Sequence, residues 1–543
     1  MRLLDRPSRQ NLARLEQVAG TFARHGLTTL VAHMRLAGDL PLRRRVRLKW
    51  LTLAGREPRA DDWAFAVRDA LVELGPAFIK AGQVLSVRAD LVPVELADAL
   101  RTLQDDVPPV NFLDIKRTVE AQLGQPLEAR FRWFSSAPLA AASIAQVHAA
   151  ELLDGTPVAV KVKRPGIDAR VARDLDVIVW LAARLERTWP ATRKYRPLAA
   201  AEEVRRYTLR ELDFRGEARV MTRLGQSFAD WPDVRIPRVY QATAGVLVMD
   251  HVACFPIDDL AALAAHEIEV PRLVQTAVDA LLAQIYDFGL LHGDPHPGNL
   301  QVDTAGRLVF LDFGIYAELP PRLKRNMALS AMHLAEGDLH LATSYMLKVA
   351  TLKHGADPRG FREAVRELYQ TWRGSPAQGY GFGRLVYDQI MLAARYGVEF
   401  PADAIVFAKA LLTLEGVAFR LAPDLDLSRQ AEPFLRSLRW KYIAPRRWLA
   451  VLAETLPLWL DVAEELPLAS DRLLERQLSR REAEPSPRPA WGEAVFPGLI
   501  ALAGAVLLAG AVPPTWNGIS LLGLAILLAG LFRGARAARP PRG

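Results

Sequence analysis

The 543-residue sequence predicts an α+β chain with a small strand-containing lobe and a larger helical lobe, preceded by a helical N-terminal extension and followed by a C-terminal transmembrane helical hairpin. Three observations predict it. β-type runs cluster at Ile144–Glu151 and Pro157–Val162. Three-and-four apolar spacing dominates before about residue 130 and again from Val270. No charged residue occurs between Glu493 and Arg533. Two or more structural units are expected at this length.

Residues 1–130 read as a helical extension, with Trp63, Ala66, Val67, Ala70, Leu71 and Leu74 along one face. The net charge of +8 is concentrated at the start, where residues 1–60 carry 13 Lys/Arg against 4 Asp/Glu. Arginines alternate with apolar residues from Arg43 to Trp50. A solvated helix face, anionic lipid headgroups or nucleic acid are the readings open to that segment. No zinc finger or RNP-type motif accompanies it, so a nucleic-acid partner is not expected; membrane lipid is favoured because the other end of the chain reads as membranous. Met1–Gln10 lacks the apolar run of a signal peptide, which keeps the bulk of the chain cytoplasmic in this reading. The single cysteine, Cys254, excludes an internal disulfide framework and a Cys-built zinc site.

The strand-containing lobe is expected over 131–255 with inserted helices, its two runs joined by the turn Leu153–Thr156, and with a second strand pair at Val239–Gln241 and Val246–Asp250. A helical lobe follows over 256–480, interrupted by strand-like Leu300–Val302 and Leu308–Leu311. Residues 481–493 form a linker, since the prolines of Glu484–Pro489 deny the backbone regular bonding. Residues 494–532 are uncharged and split at Pro513–Gly518 into Val495–Val512 and Trp516–Phe532, each about 25 Å long as a helix. A buried hairpin in a soluble core competes, but 39 consecutive uncharged residues favour the membrane. Arg480, Arg481 and Arg488 flank one side; Arg533, Arg536, Arg539 and Arg542 flank the other, in a basic tail over 533–543. The positive-inside rule then places both ends in the cytoplasm and the turn outside.

The chemistry sits on two loops. His292-Gly293-Asp294-Pro295-His296-Pro297-Gly298-Asn299 follows a helix over Val270–Phe288, and Asp312-Phe313-Gly314 follows a short strand. Phosphoryl transfer needs a carboxylate near the attacking oxygen and two oxygen ligands for magnesium, and kinases supply them in this order and spacing. Asp294 fits the first role, Asn299 and Asp312 the second. Upstream, Lys161 ends Val158-Ala159-Val160-Lys161, a strand lysine of the type that holds nucleotide phosphates; alone it would pass for a surface lysine. Its carboxylate partner is expected within Arg210–Glu217, where Asp213 and Glu217 share a face of one helix and Glu211 lies about 120° from Glu217. His292 and His296 lack a supporting Cys/His cluster, so packing and loop-fixing hydrogen bonds are their expected roles. Met249–Val252 reads equally as an adenine-side hinge or a plain strand end.

The usual glycine-rich loop is replaced by Leu139, Ala140, Ala141, Ala142, Ser143, Ile144, Ala145, Gln146 and Val147, which leave nucleotide contact with a different pose or rate. Helix resumes at Pro320-Pro321, leaving little room for a loop that docks a protein substrate. With Lys80-Ala81-Gly82-Gln83, Leu85–Asp90, Glu211-Leu212-Asp213 and the loops above, residues 60–340 resemble the UbiB family of atypical kinases, also called the aarF-domain or ADCK family.

The resemblance implies a two-lobe protein-kinase-like fold that binds ATP or ADP with magnesium and serves ubiquinone biosynthesis. Its partners would be quinone-pathway intermediates or enzymes, and its oligomeric state is left open. It also implies that the extension bearing Lys80, Gly82 and Gln83 folds over the site and excludes peptide-sized substrates. Lys161 would then pair with Glu217 or Glu211, a choice that spacing leaves open; Glu217 is favoured, with Glu211 and Asp213 serving Lys80. Gly293 stands where many members carry alanine, a difference expected to be neutral. A pseudokinase scaffold that binds nucleotide without phosphoryl transfer is the alternative function; protein phosphorylation is disfavoured by the short segment after Gly314.

Overall fold

Apolar residues recurring at three-and-four spacing give each early helix one buried face. The computed structural model describes residues 9–34, 62–86, 92–100, 102–103, 108–374, 381–423, 515–516 and 519–520. Helices α1 (Arg9–Arg24), α2 (Thr28–Met34), α3 (Trp63–Leu74), α4 (Pro76–Ser86), α5 (Val94–Leu100) and α6 (Phe112–Leu123) come first. Leu15, Val18 and Phe22 pack with Leu71, Leu74, Phe78 and Leu100, and with Trp180 and Leu181 of α7 (Ile167–Thr188). Each such side chain, fully buried, contributes about 1.5–3 kcal/mol. Arg14 pins α1 to α7 with a two-point ion pair to buried Asp174 at 2.7 and 2.9 Å, and also donates to the Leu74 carbonyl.

The small lobe is a five-stranded antiparallel sheet in the order β1-β2-β3-β6-β5: β1 (Phe131–Ala141), β2 (Ala145–Leu152), β3 (Pro157–Lys163), β5 (Val239–Ala242) and β6 (Val246–Asp250). Val158, Val160, Val162, Val246 and Val248 cover one face against Ile115 and Val119 of α6. Period-two alternation therefore sends Ala159 and Lys161 of β3, Val147 of β2, and Leu247 and Met249 of β6 to the other face. Between β3 and β5 lie α7, α8 (Pro197–Glu211), α9 (Phe214–Ser227) and the two-residue β4 (Val234–Arg235).

A second sheet, β4-β10-β9-β7, adds β7 (Cys254–Pro256), β9 (Leu300–Asp303) and β10 (Leu308–Phe310). Around it run α10 (Leu260–Ala265) and α11 (Val270–Ala283), the latter closing in a π turn over Gln284–Phe288. Short β8 (Leu290–His292) pairs with β11 (Tyr316–Glu318). Helices α12 (Pro321–Glu336), α13 (Leu339–Leu347), α14 (Pro358–Gly374), α15 (Phe382–Ala393) and α16 (Ala402–Leu421) complete the helical part.

Three expectations are corrected. Arg210–Glu217 is not one helix: α8 ends at Glu211 and α9 starts at Phe214, because Asp213 turns extended (φ −111°, ψ 98°) and its carboxylate accepts the Arg215 N–H. The alanine-rich segment is mostly strand, since Ala141 pairs with Gln146 and only Ala142–Ser143–Ile144 turn the chain. The second expected span does not begin as helix, since Thr515–Trp516 and Ile519–Ser520 pair as antiparallel strands. The rest of both spans, the basic run Arg43–Trp50, Val87–Asp90, the linker and the basic tail lie outside the described residues. Among the described residues no helix is long and apolar enough to cross a membrane.

Candidate active site

Lys161 leaves the middle of β3 on the face that the valine core does not use. Its Nζ donates to both Glu217 oxygens at 2.9 Å and to Asp312 Oδ1 at 3.1 Å, with the Phe214 ring 5.3 Å away. The break at Leu212–Asp213 explains how Glu217 gets there. It restarts the helix at Phe214, so Glu217 sits in the first turn of a helix separate from α8. Burial alone lowers an ammonium pKa, but the carboxylates of Asp312 and Glu217 outweigh it and hold Lys161 above the ordinary lysine range. Burial pushes the Glu217 carboxyl up, with Lys161 opposing. Desolvation would also raise Asp312, yet the charges of Lys161 and then Lys80 hold it below the usual carboxylate range.

Asp312 adopts φ +48°, a left-handed backbone that Asp tolerates better than most residues. The Gly314 N–H donates to its Oδ1 at 3.1 Å, and Phe313 is fully buried edge-on to His292, centroids 5.0 Å apart. His292 joins the two loops. Its Nε2–H donates to the carbonyls of Leu311 at 2.9 Å and Asp312 at 3.0 Å, while Nδ1 accepts the Asp294 N–H at 3.3 Å. Burial keeps this imidazole below its ordinary pKa, which suits the neutral tautomer those bonds require.

Inside the loop, Asn299 Nδ2 donates to the Asp294 carbonyl at 3.2 Å, and the Leu311 N–H donates to the Asn299 carbonyl at 2.7 Å. His296 Nδ1 accepts the Gly298 N–H at 3.0 Å, so both histidines fix the loop. The Asp294 carboxylate faces a partner that sequence reasoning missed: Lys409 of α16, Nζ to Oδ1 3.0 Å.

The N-terminal helix α4 brings Lys80 to Glu211 at 2.5 Å. Gly82 lets α4 seat against α3 and α5, since a Cβ there would run into Leu103 and lie 3.2 Å from both Leu100 and Leu71. Gln83 is half-buried and its carbonyl accepts the Ser86 hydroxyl. Asp213 caps α9 and pairs with Arg215 at 2.8 Å.

The segment from Leu139 to Val147 divides. Leu139 and Ala140 are exposed at the end of β1, Ala141 and Ala142 are half-buried, and Ser143, Ile144 and Ala145 are buried at the turn. Val147 lies opposite Lys161 in the ladder and shares its face. Gln146 is not brought there. It is fully buried on the opposite face, its amide bonded to the Val110 N–H and to His148. The Asp250 carboxylate is likewise taken up by the Tyr240 hydroxyl at 2.8 Å and the Arg238 N–H at 3.2 Å, as a strand end would be.

Gly293 corrects another expectation. A Cβ there would lie 2.7 Å from Val406 Cγ1, 2.8 Å from Ile315 Cγ2 and 3.1 Å from the Ile315 carbonyl, so alanine is not neutral in this chain.

The donor set suits magnesium. Among the described residues no hydrogen bond occupies Asp312 Oδ2 or Asn299 Oδ1, both hard oxygens of the kind that ion takes. An open cavity of about 820 Å³ borders the same elements through Glu211, Glu217 and Gly314, rimmed by Arg206, Arg210 and Arg219.

Residues 102–346 match the ABC1 atypical kinase-like domain, and residues 365–426 match the UbiB helical domain. A Marinobacter nauticus protein named Probable protein kinase UbiB is 31% identical over 471 residues, covering 86% of this chain and 85% of that one. An Azotobacter vinelandii protein of the same name is 32% identical over 487 residues, covering 86% and 88%. Among solved structures, the Mycobacterium tuberculosis complex of Rv3197 with erythromycin aligns at 25% identity and a TM-score of 0.46, over 67% of this chain and 93% of that one. The PknI kinase domain of the same organism aligns at 17% identity and a TM-score of 0.23, over 52% and 97%.

Proposed function

The chain belongs to the UbiB family of atypical kinases, and on that premise we propose that it is a magnesium-dependent ATPase or small-molecule kinase serving ubiquinone biosynthesis at a bacterial inner membrane. One observation carries the reading: Lys161 bonds Glu217 and Asp312 at once, while the Asp294–Asn299 loop is stitched to the Asp312 strand.

In this reading Lys161 grips the α and β phosphates, and Glu217 keeps it aimed at them. Asn299 and Asp312 hold magnesium, which supplies charge neutralisation on the phosphates when bound. Asp294 takes the proton of an attacking hydroxyl or water. Lys80 stands beside the cleft on Glu211, where α4 narrows access to a peptide-sized acceptor. Only Ile315–Pro320 separate Gly314 from α12, which leaves no long docking loop and favours a small acceptor over a protein. The hairpin over residues 494–532 would keep the site near lipid-soluble quinone precursors; its 39 uncharged residues support that placement.

Asp294→Asn and Lys161→Arg should keep fold and membrane fractionation but lose lipid-stimulated ATP turnover. Turnover unchanged in both variants would sink the enzyme reading. Stabilisation by ATP and magnesium with no phosphate release would leave a nucleotide-binding scaffold instead. Complementation of a quinone-deficient strain by wild type and Asp294→Asn, with accumulated precursors identified, separates pathway membership from catalytic need.

A further inference from the structure

The Asp294–Asn299 loop supplies no ammonium or guanidinium of its own. Its one basic side chain, His296, has Nδ1 committed to the Gly298 N–H. Lys161 is already tied to Glu217 and Asp312. The terminal phosphate of a nucleotide develops charge on its outer oxygens during transfer, and a side-chain cation aimed at those oxygens adds to the neutralisation that magnesium would supply.

Lys409 offers such a cation from α16, far along the chain. Its Nζ lies 3.0 Å from Asp294 Oδ1, and 26% of its side chain remains accessible, so the pair is not sealed in the core. The approach of α16 to the loop is built in. A Cβ on Gly293, the neighbour of Asp294, would lie 2.7 Å from Val406 Cγ1, so that contact would have to open to admit it, and Val406 stands three residues before Lys409, on the same side of the helix. Glycine at 293 and lysine at 409 thus belong to one arrangement.

We propose that Lys409 is part of the phosphoryl-transfer machinery: it holds the Asp294 carboxylate before nucleotide enters and binds the terminal phosphate during transfer. The proposal rests on the ATP reading above. The attacking oxygen of water or a hydroxyl acceptor forms a bond to the terminal phosphorus, and its proton passes to Asp294. The bond from that phosphorus to the bridging oxygen breaks, its electron pair leaving with ADP. As Asp294 becomes neutral its attraction for Lys409 weakens, which releases the ammonium to the phosphate oxygens. The helical segment matched over 365–426 then adds one side-chain cation to a site whose other parts come from residues 161–312.

The test uses the full-length protein in lipid vesicles, with ATP turnover and ADP affinity measured for wild type, Lys409→Met, Lys409→Arg and Asp294→Asn. Lys409→Met should lower kcat by about 100-fold, with ADP affinity held within about twofold, because ADP lacks the phosphate that Lys409 meets. Lys409→Arg should recover roughly a tenth or more of wild-type kcat, since it restores the charge. Turnover in Lys409→Met within about threefold of wild type, when Asp294→Asn is inactive, overturns the role of Lys409 alone. Equal losses of kcat and ADP affinity that arginine does not rescue mark a structural lysine and overturn it too. Turnover insensitive to Asp294→Asn overturns the ATP reading and this proposal together.

Discussion

Lys80 Nζ lies 2.5 Å from Glu211 Oε1, and Glu211 in turn packs beside Gly314, its Cγ 3.5 Å from where a Cβ there would stand. A helix of the N-terminal part thus reaches the loop that carries Asp312. Both partners are mostly buried, so removing one strands the other's charge. Lys80→Met should cost about 3 kcal/mol in urea unfolding, whereas Lys80→Met with Glu211→Met should recover most of it. Equal losses in single and double variants would show that the pair is not coupled.

Asp213 separates α8 from α9 and thereby aims Glu217. Asp213→Ala should destabilise by about 1 kcal/mol through the lost cap, and Asp213→Asn by much less. Because α9 carries Glu217, the alanine variant should also weaken nucleotide binding, measured by calorimetry; unchanged affinity would detach the cap from the site.

Gly293→Ala tests how tightly α16 is seated. Forcing a methyl against Val406 and the Ile315 backbone should cost about 1–3 kcal/mol. Gly293→Ala combined with Val406→Ala should restore much of the loss, because the second change removes the nearest colliding atom. Thermal melts of the two variants read this directly.

His148 is fully buried between Phe134 and Gln146, and burial holds its imidazole below the ordinary range despite the Ser135 carbonyl at 3.0 Å. The unfolded chain therefore binds this proton first as pH falls. Its contribution is complete above about pH 6.5 and is lost on acidification, by up to about 1.4 kcal/mol per pH unit. His148→Phe should flatten the decline in urea midpoint between about pH 6.5 and 5. An identical slope in the variant would remove His148 as its source.

Much of the strand and helix order was legible because the signals are local. Val158–Val162 alternates, and the residues from Val270 repeat at helical spacing until the π turn. Asp294 and Asn299 share one loop, so their spacing already holds them together. What escaped is not encoded in spacing. Asp213 reads as a helical residue until its carboxylate is seen capping Arg215, so the number and direction of helices there could not be read from spacing. Leu139–Ala141 has little intrinsic strand preference and becomes strand by pairing with β2. Nothing in the sequence near Lys409 points to Asp294; a single lysine in an otherwise apolar helical stretch, Ala404–Leu412, is the one hint.

The stretch after Gly314 is stitched down at once, Tyr316 against His292 and Glu318 against Leu290, before α12 begins. A segment so short and so fully paired has no slack to swing between two poses, and no free span to receive a modifying group. Throttling this protein by flipping that strand would mean tearing the β8–β11 ladder apart, which also carries the backbone of His292, the hinge pin of both loops.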